Sequence, residues 1–253
     1  MDKAGIESLL ILLLLLAPLI YLPRFLQREI QSVFLLITRN PAVSMVLFSL
    51  MFLPGVFMHE ISHFLMARIL GVKTGRLSLI PKKLENGRIQ LGYVETATTD
   101  FVRDSLIGAA PLLAGCLFIG MIGVSRLGFT ELWSNLDQGG RESFRVAVKS
   151  TMAQPDFWLW FYLVLTISST MMPSSSDRKA WVPLILVIGF FSFLILVFGA
   201  GPWLSSHLSS FINSAMDAIT IIFGITISIH LLLYPPTWLI RRFLTHITGY
   251  QVV

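Results

Sequence analysis

Long apolar runs separated by short polar intervals dominate the chain, and six of them approach the ~20 residues that a helix needs to cross a bilayer. They run roughly Gly5–Leu22, Ala42–Leu70, Phe101–Leu127, Asp156–Met172, Ala180–Ala200 and Ala215–Tyr234, the fourth being the shortest. In the first, Lys3 precedes Leu9–Leu16 as in a signal peptide, but Pro23 and Arg24 follow where a small-residue cleavage site belongs. An uncleaved first helix is expected. Within Gly71–Thr99, Leu77, Leu79 and Ile80 alternate with polar neighbours before Asn86-Gly87, and Ile89, Leu91 and Tyr93 do so after it. That pattern predicts a β-hairpin close to the membrane surface, with an ordered connecting loop as the plainer alternative. Arg126–Pro155 carries Trp133, Phe144 and Val146 among charges, as an interfacial helix would. No repeat, heptad run or extended linker interrupts the pattern. The expected architecture is an all-α polytopic membrane protein of about six transmembrane helices with a small hairpin-like polar segment. It forms one domain over 1–253, with a core at about 42–181 and accessory helices at 5–22, 180–200 and 215–234.

Composition makes lipid the solvent for these runs. Hydrophobic residues are 55% of the 253 and charged residues 13%, with mean hydropathy +0.75. Soluble domains carry about 25% charged residues, and a water-soluble core of this size cannot hide so many apolar side chains. The formal charge of +5 comes with no basic run interleaved with aromatics, which excludes a nucleic-acid surface. Lysine and arginine instead report topology. With six crossings, both termini share a side with the intervals Gly71–Asp100 and Pro173–Lys179, and that side holds Lys3, Arg68, Lys73, Arg76, Lys82, Lys83, Arg88, Arg103, Arg178, Lys179, Arg241 and Arg242. The opposite side holds only Arg24, Arg28, Arg39, Arg126, Arg141, Arg145 and Lys149. Both termini are therefore expected in the cytoplasm, with the chain in the cell membrane. The single cysteine, Cys116, permits no internal disulfide and no cysteine zinc site; in its apolar run it reads as a small buried hydrophobe.

Candidate chemistry sits inside the second apolar run, at His59-Glu60-Ile61-Ser62-His63. On an α-helix, residues four apart share a face, so His59 and His63 can hold one metal ion. Neutral imidazoles suit zinc. Glu60 projects about 100° around the helix, beside the metal, where it can take a proton from a zinc-bound water and return it to a leaving amine. The alternatives are a proton relay or a helix-packing polar cluster. Burying an acidic residue at mid-membrane costs at least ~2.5–3.5 kcal/mol, so Glu60 would be a burden without a task, and metal binding is the stronger reading. Pro54-Gly55, one turn earlier, is a place for a kink that opens room for substrate or water.

Two histidines leave a tetrahedral zinc short of a third protein ligand. Asp100, Asp104, Asp177 and His230 lie on the expected side, whereas His207 and Asp217 do not. Asp177 is preferred: Pro173 ends the fourth helix, and Ser174, Ser175 and Ser176 can turn the chain back and hydrogen-bond the carboxylate. On spacing alone, a solvated Asp-Arg-Lys loop with Asp177 capping the next helix is as good a reading, and Asp104 and His230 stay open.

From about Pro54 to Trp181, the HExxH helix, the polar hairpin, the small-residue stretch Gly108-Ala109-Ala110-Pro111-Leu112-Leu113-Ala114-Gly115 and the proline-plus-aspartate turn resemble the site-2 protease family of intramembrane zinc metalloproteases. The resemblance implies zinc on His59, His63 and Asp177, and Glu60 as catalytic base. Where better-studied members carry Asn-Pro and Leu-Asp-Gly, this chain has Met172-Pro173 and Ser176-Asp177-Arg178, the mark of a divergent branch. The expected function is a zinc metalloendopeptidase, with Zn2+ as cofactor, that hydrolyses peptide bonds in or near transmembrane segments of membrane-protein substrates. A non-proteolytic transporter or scaffold that uses the cluster for metal or proton handling is the alternative. A membrane zinc hydrolase of the prenyl-protein protease type ranks well below the first reading. That class generally takes its third ligand from a downstream glutamate, and Glu85 and Glu95 lie in the polar interval and not on an evident helix.

Overall fold

A computed structural model describes residues 3–83, 89–128, 140–174, 176–179, 181–183, 186, 187, 189, 190, 194 and 201–250. Helix α1 spans Lys3–Thr38 and passes through Pro18 and Pro23, past the expected end of the first span at Leu22. In apolar surroundings, breaking a helix strands several N–H and C=O groups, whereas carrying a proline loses one bond, so the helix continues. Asn40 then caps α2 (Pro41–Met51), its side chain accepting from the Ala42 and Val43 N–H groups at 2.9 and 3.3 Å. A 68° bend separates α2 from α3 (Leu53–Ile69). The break falls at Phe52, not at Pro54-Gly55; Pro54 occupies the first turn of α3, where its missing N–H has no partner to lose.

The expected hairpin is present as two antiparallel pairings: β1 (Thr74–Ser78) with β4 (Tyr93–Thr96), and β2 (Lys82–Lys83) with β3 (Ile89–Gln90). Its Asn86-Gly87 turn lies outside the described residues. Asp100 caps α4 (Phe101–Ser125), accepting from the Val102 and Arg103 N–H groups. Helices α5 (Gly140–Met152) and α6 (Phe157–Thr170) follow, and α7 (Gly201–Thr248) runs through Pro235 and Pro236 well beyond the expected 215–234. Trp133 and most of the expected fifth span lie outside the described residues.

Among the described residues, three helical stretches are long and apolar enough to cross a membrane: Leu10–Thr38, Phe101–Ser125 and Ser209–Thr248. The bent α2–α3 pair makes a fourth if it counts as one span. The expectation of six is corrected to three or four among the described residues. Helix α6 has 14 residues, or about 21 Å of rise, against a hydrocarbon core of ~30 Å. Helices α1 and α7 lie side by side, with contacts at four levels. Ser8 donates to Asp217 at 2.7 Å, the Phe25 and Tyr234 rings are 6.5 Å apart, Glu29 pairs with Arg241, and Arg39 sits over the Tyr250 ring. The partner numbers rise together, so the helices are parallel. Six alternating crossings would set the first and last antiparallel, so the simple scheme that put both termini on one side does not describe this pair. Leu19, Leu26, Phe52, Val56, Ile119, Val164, Met171 and Phe223 pack one core where α1, the α2–α3 bend, α4, α6 and α7 converge. Leu14, Leu117 and Ile69 point outward at 74–78% exposure, as side chains facing lipid do.

Candidate metal centre

His59, Glu60 and His63 all belong to α3, one turn past its proline start. Periodicity puts the histidines on one face; neighbouring helices set their rings. His59 Nδ1 lies 2.7 Å from the Thr170 carbonyl at the end of α6, and His63 Nδ1 lies 2.8 Å from the Ile107 carbonyl in α4. A carbonyl only accepts, so each Nδ1 is the N–H donor and each Nε2 presents its lone pair. The two Nε2 atoms are 3.2 Å apart. With both rings neutral and Nδ1-protonated, that approach sets lone pair against lone pair, an arrangement that a cation between them relieves. Backbone carbonyls behind ligating histidines serve this purpose in metal sites, fixing tautomer and ring orientation.

Asp177 completes the group. Its Oδ1 lies 3.7 Å from His63 Nε2 and its Oδ2 3.9 Å from His59 Nε2, beyond hydrogen-bond length. Tetrahedral zinc with bonds of about 2.0–2.1 Å sets its ligand atoms about 3.3 Å apart, so the three side chains fit such an ion with a small inward movement. One ligand atom from each of the three falls within 4.8 Å of the others. The Ser174 N–H donates to Asp177 Oδ2 at 2.7 Å, and the Ser174 and Ser176 hydroxyls are bonded at 2.6 Å. In a continuing helix, the Ser174 N–H would instead serve the Thr170 carbonyl. The turn after Pro173 thus directs the carboxylate and leaves the carbonyl free for His59.

Glu60 is 7% exposed and lines, with all three candidate ligands, a cleft of about 490 Å³ closed on one side by Gln90, Gly92 and Tyr93 of the hairpin. Two glycines, neither singled out individually from the sequence for this role, permit the closeness. A side chain at Gly92 would stand 2.9 Å from Glu60 Cγ, and one at Gly108 would overlap the Asp177 carbonyl. The small-residue stretch after the hairpin was the available signal for Gly108; Gly92 had none.

The other candidates are placed elsewhere. Asp100 is the α4 cap, Asp104 stands exposed on the cleft rim outside the group, and Asp217 bonds Ser8. His230 is fully buried between the Ser169 hydroxyl at 2.8 Å and the Thr226 carbonyl at 2.6 Å. Comparison of the chain with protein-family models, curated proteins and solved structures returns no match. The family resemblance therefore rests on the residues themselves.

Proposed function

We propose that the protein is an intramembrane zinc metalloendopeptidase that cuts peptide bonds in or near the transmembrane segments of other proteins. One observation carries the reading: two histidines with carbonyl-fixed Nδ1 atoms, an aspartate from a distant turn and a buried glutamate converge on one cleft within apolar helices. His59, His63 and Asp177 are the residues that would hold the ion. Zinc bound there would act as a Lewis acid and make water a ready nucleophile near neutral pH. The remaining work falls to the chain. Glu60, roofed by the Gly92 backbone, is placed to take a proton from the attacking water and deliver it to the leaving nitrogen. The Thr170 and Ile107 carbonyls hold the histidine rings in place, and Ser174 orients the Asp177 carboxylate. Ile89, Val94 and Ile107 add apolar surface to a cleft that is otherwise lined mostly by polar side chains, and Gln90, Gly92 and Tyr93 of the hairpin line it beside Glu60.

The deciding experiment pairs cleavage of a transmembrane-segment substrate with metal content in detergent. Glu60→Gln is expected to abolish cleavage while retaining about one zinc per chain. Turnover equal to the unaltered protein would overturn the reading. Metal flux in liposomes that depends on His59 and His63, with no cleavage, would replace it with the transport reading.

A further inference from the structure

A proline inside a helix removes the donor that the carbonyl four residues earlier would otherwise use. In α4 that proline is Pro111, and the carbonyl it leaves without an intrahelical donor is that of Ile107. His63 Nδ1 bonds this oxygen at 2.8 Å. Ile107 is 5% exposed and Pro111 is fully buried, so water is a poor substitute as donor. We infer that Pro111 is a positioning residue of the metal centre: its missing N–H reserves the Ile107 carbonyl for His63 and holds Nε2 toward His59 and Asp177. The inference rests on the metal-centre reading above.

Two other places in the fold follow the same logic by separate means. The Thr170 carbonyl, which accepts from His59, is free because the Ser174 N–H goes to Asp177. Pro173 has no N–H for the Ser169 carbonyl, and Gln27 Nε2 supplies the bond at 2.9 Å. Each vacated carbonyl takes a side-chain donor from another helix. At Ile107 that donor belongs to a candidate ligand, so the proline acts on the metal centre through His63. A buried proline that serves only as a packing unit or bend would also be conformationally costly, but its N–H would not matter. That difference is the basis of the test.

The full chain is purified in detergent and titrated with Zn2+ against a competing chelator, and with Co2+ while its visible absorption is followed. Pro111→Ala restores an N–H beneath the Ile107 carbonyl, which must then be shared between two donors. Alanine is the better helix former, so the thermal midpoint is expected to hold or rise. Metal affinity is expected to fall about tenfold, the lower end of the effect of disturbing a histidine's supporting partner, with a changed Co2+ spectrum. Pro111→Ser restores the same N–H and repeats the test should alanine disturb folding. Lactic acid placed at position 111, which gives a backbone ester with neither N–H nor ring, is expected to bind metal within about twofold of the unaltered chain. Pro18→Ala, in α1, is expected to leave binding unchanged.

Affinity and spectrum unchanged in both Pro111 variants would overturn the inference and leave the metal centre standing. Equal weakening by alanine and by the ester would overturn it in favour of ring packing. No metal in the unaltered chain would remove the metal-centre reading itself, an outcome distinct from either.

Discussion

At the scale of single residues, Gly108 and Gly92 set separate demands on the same cleft. A β-carbon at Gly108 meets backbone, the Asp177 carbonyl, which cannot rotate away. Gly108→Ala is expected to push the aspartate turn outward, costing about 1–3 kcal/mol of stability and lowering zinc content together. At Gly92 the nearest atoms are the Glu60 side chain and Val56 Cγ1 at 3.0 Å. Gly92→Ala is expected to lower kcat with zinc content unchanged, because it disturbs the base and not the ligands. Metal analysis beside cleavage kinetics separates the two, and loss of zinc in Gly92→Ala would refute the division. His63→Ala and Asp177→Ala are each expected to purify without stoichiometric zinc; retention in Asp177→Ala would refute its place among the ligands. The histidine pair and glutamate were legible because helical period alone brings them together. Asp177 was not, since spacing allowed a capping role equally well and only the turn after Pro173 decides where its carboxylate points.

At the scale of elements, helix ends do much of the positioning. Asp100 accepts the Arg103 and Val102 N–H groups, and the bond from Arg103 leads in holding its carboxyl below the usual aspartate range. The sign follows. The folded-state pKa is depressed, so the cap's contribution is complete above the ordinary aspartate value near 4 and is lost as pH falls through the lowered one. Asp100→Asn keeps an N-cap acceptor and is expected to flatten that acid-limb dependence in a pH series of thermal midpoints; an unchanged acid limb would place the dependence elsewhere. Across α6 and α7, the buried Ser169–His230 bond joins two elements. Ser169→Ala is expected to cost about 0.6 kcal/mol, the typical worth of such bonds between membrane helices, and a loss of several kcal/mol would point to a role beyond this one bond. Helix α6 looked like a full span from its apolar run, but its 14 residues end at Thr170, where the proline turn begins.

For the whole molecule, the parallel α1–α7 pair has a consequence open to measurement. Two helices that each cross once in the same direction place the Ser8 end and the Arg241 end on opposite faces. In a Cys116→Ala background, single cysteines at Ser8 and at Thr245 are expected to react with an impermeant thiol reagent from opposite sides of sealed vesicles. Labelling from the same side would remove the parallel-crossing account. Metal binding should also stabilise the fold, because the ligands come from α3 and from the turn after α6. At a hundredfold excess over Kd the gain is about 2.7 kcal/mol, read as a rise in thermal midpoint that a chelator reverses and His63→Ala lacks. The sequence by itself determined the apolar solvent, the hairpin interval and the His59-Glu60-His63 face. Each of these is a matter of composition or of local period, which backbone geometry converts directly into structure. Only the tertiary structure decided that α1 and α7 run on through their prolines as a parallel pair, that Asp177 meets the histidines, and that the carbonyls of Ile107 and Thr170 hold their rings. These depend on which helices lie against one another and on carbonyls left free by Pro111 and by the turn after Pro173, and no local pattern carries that information.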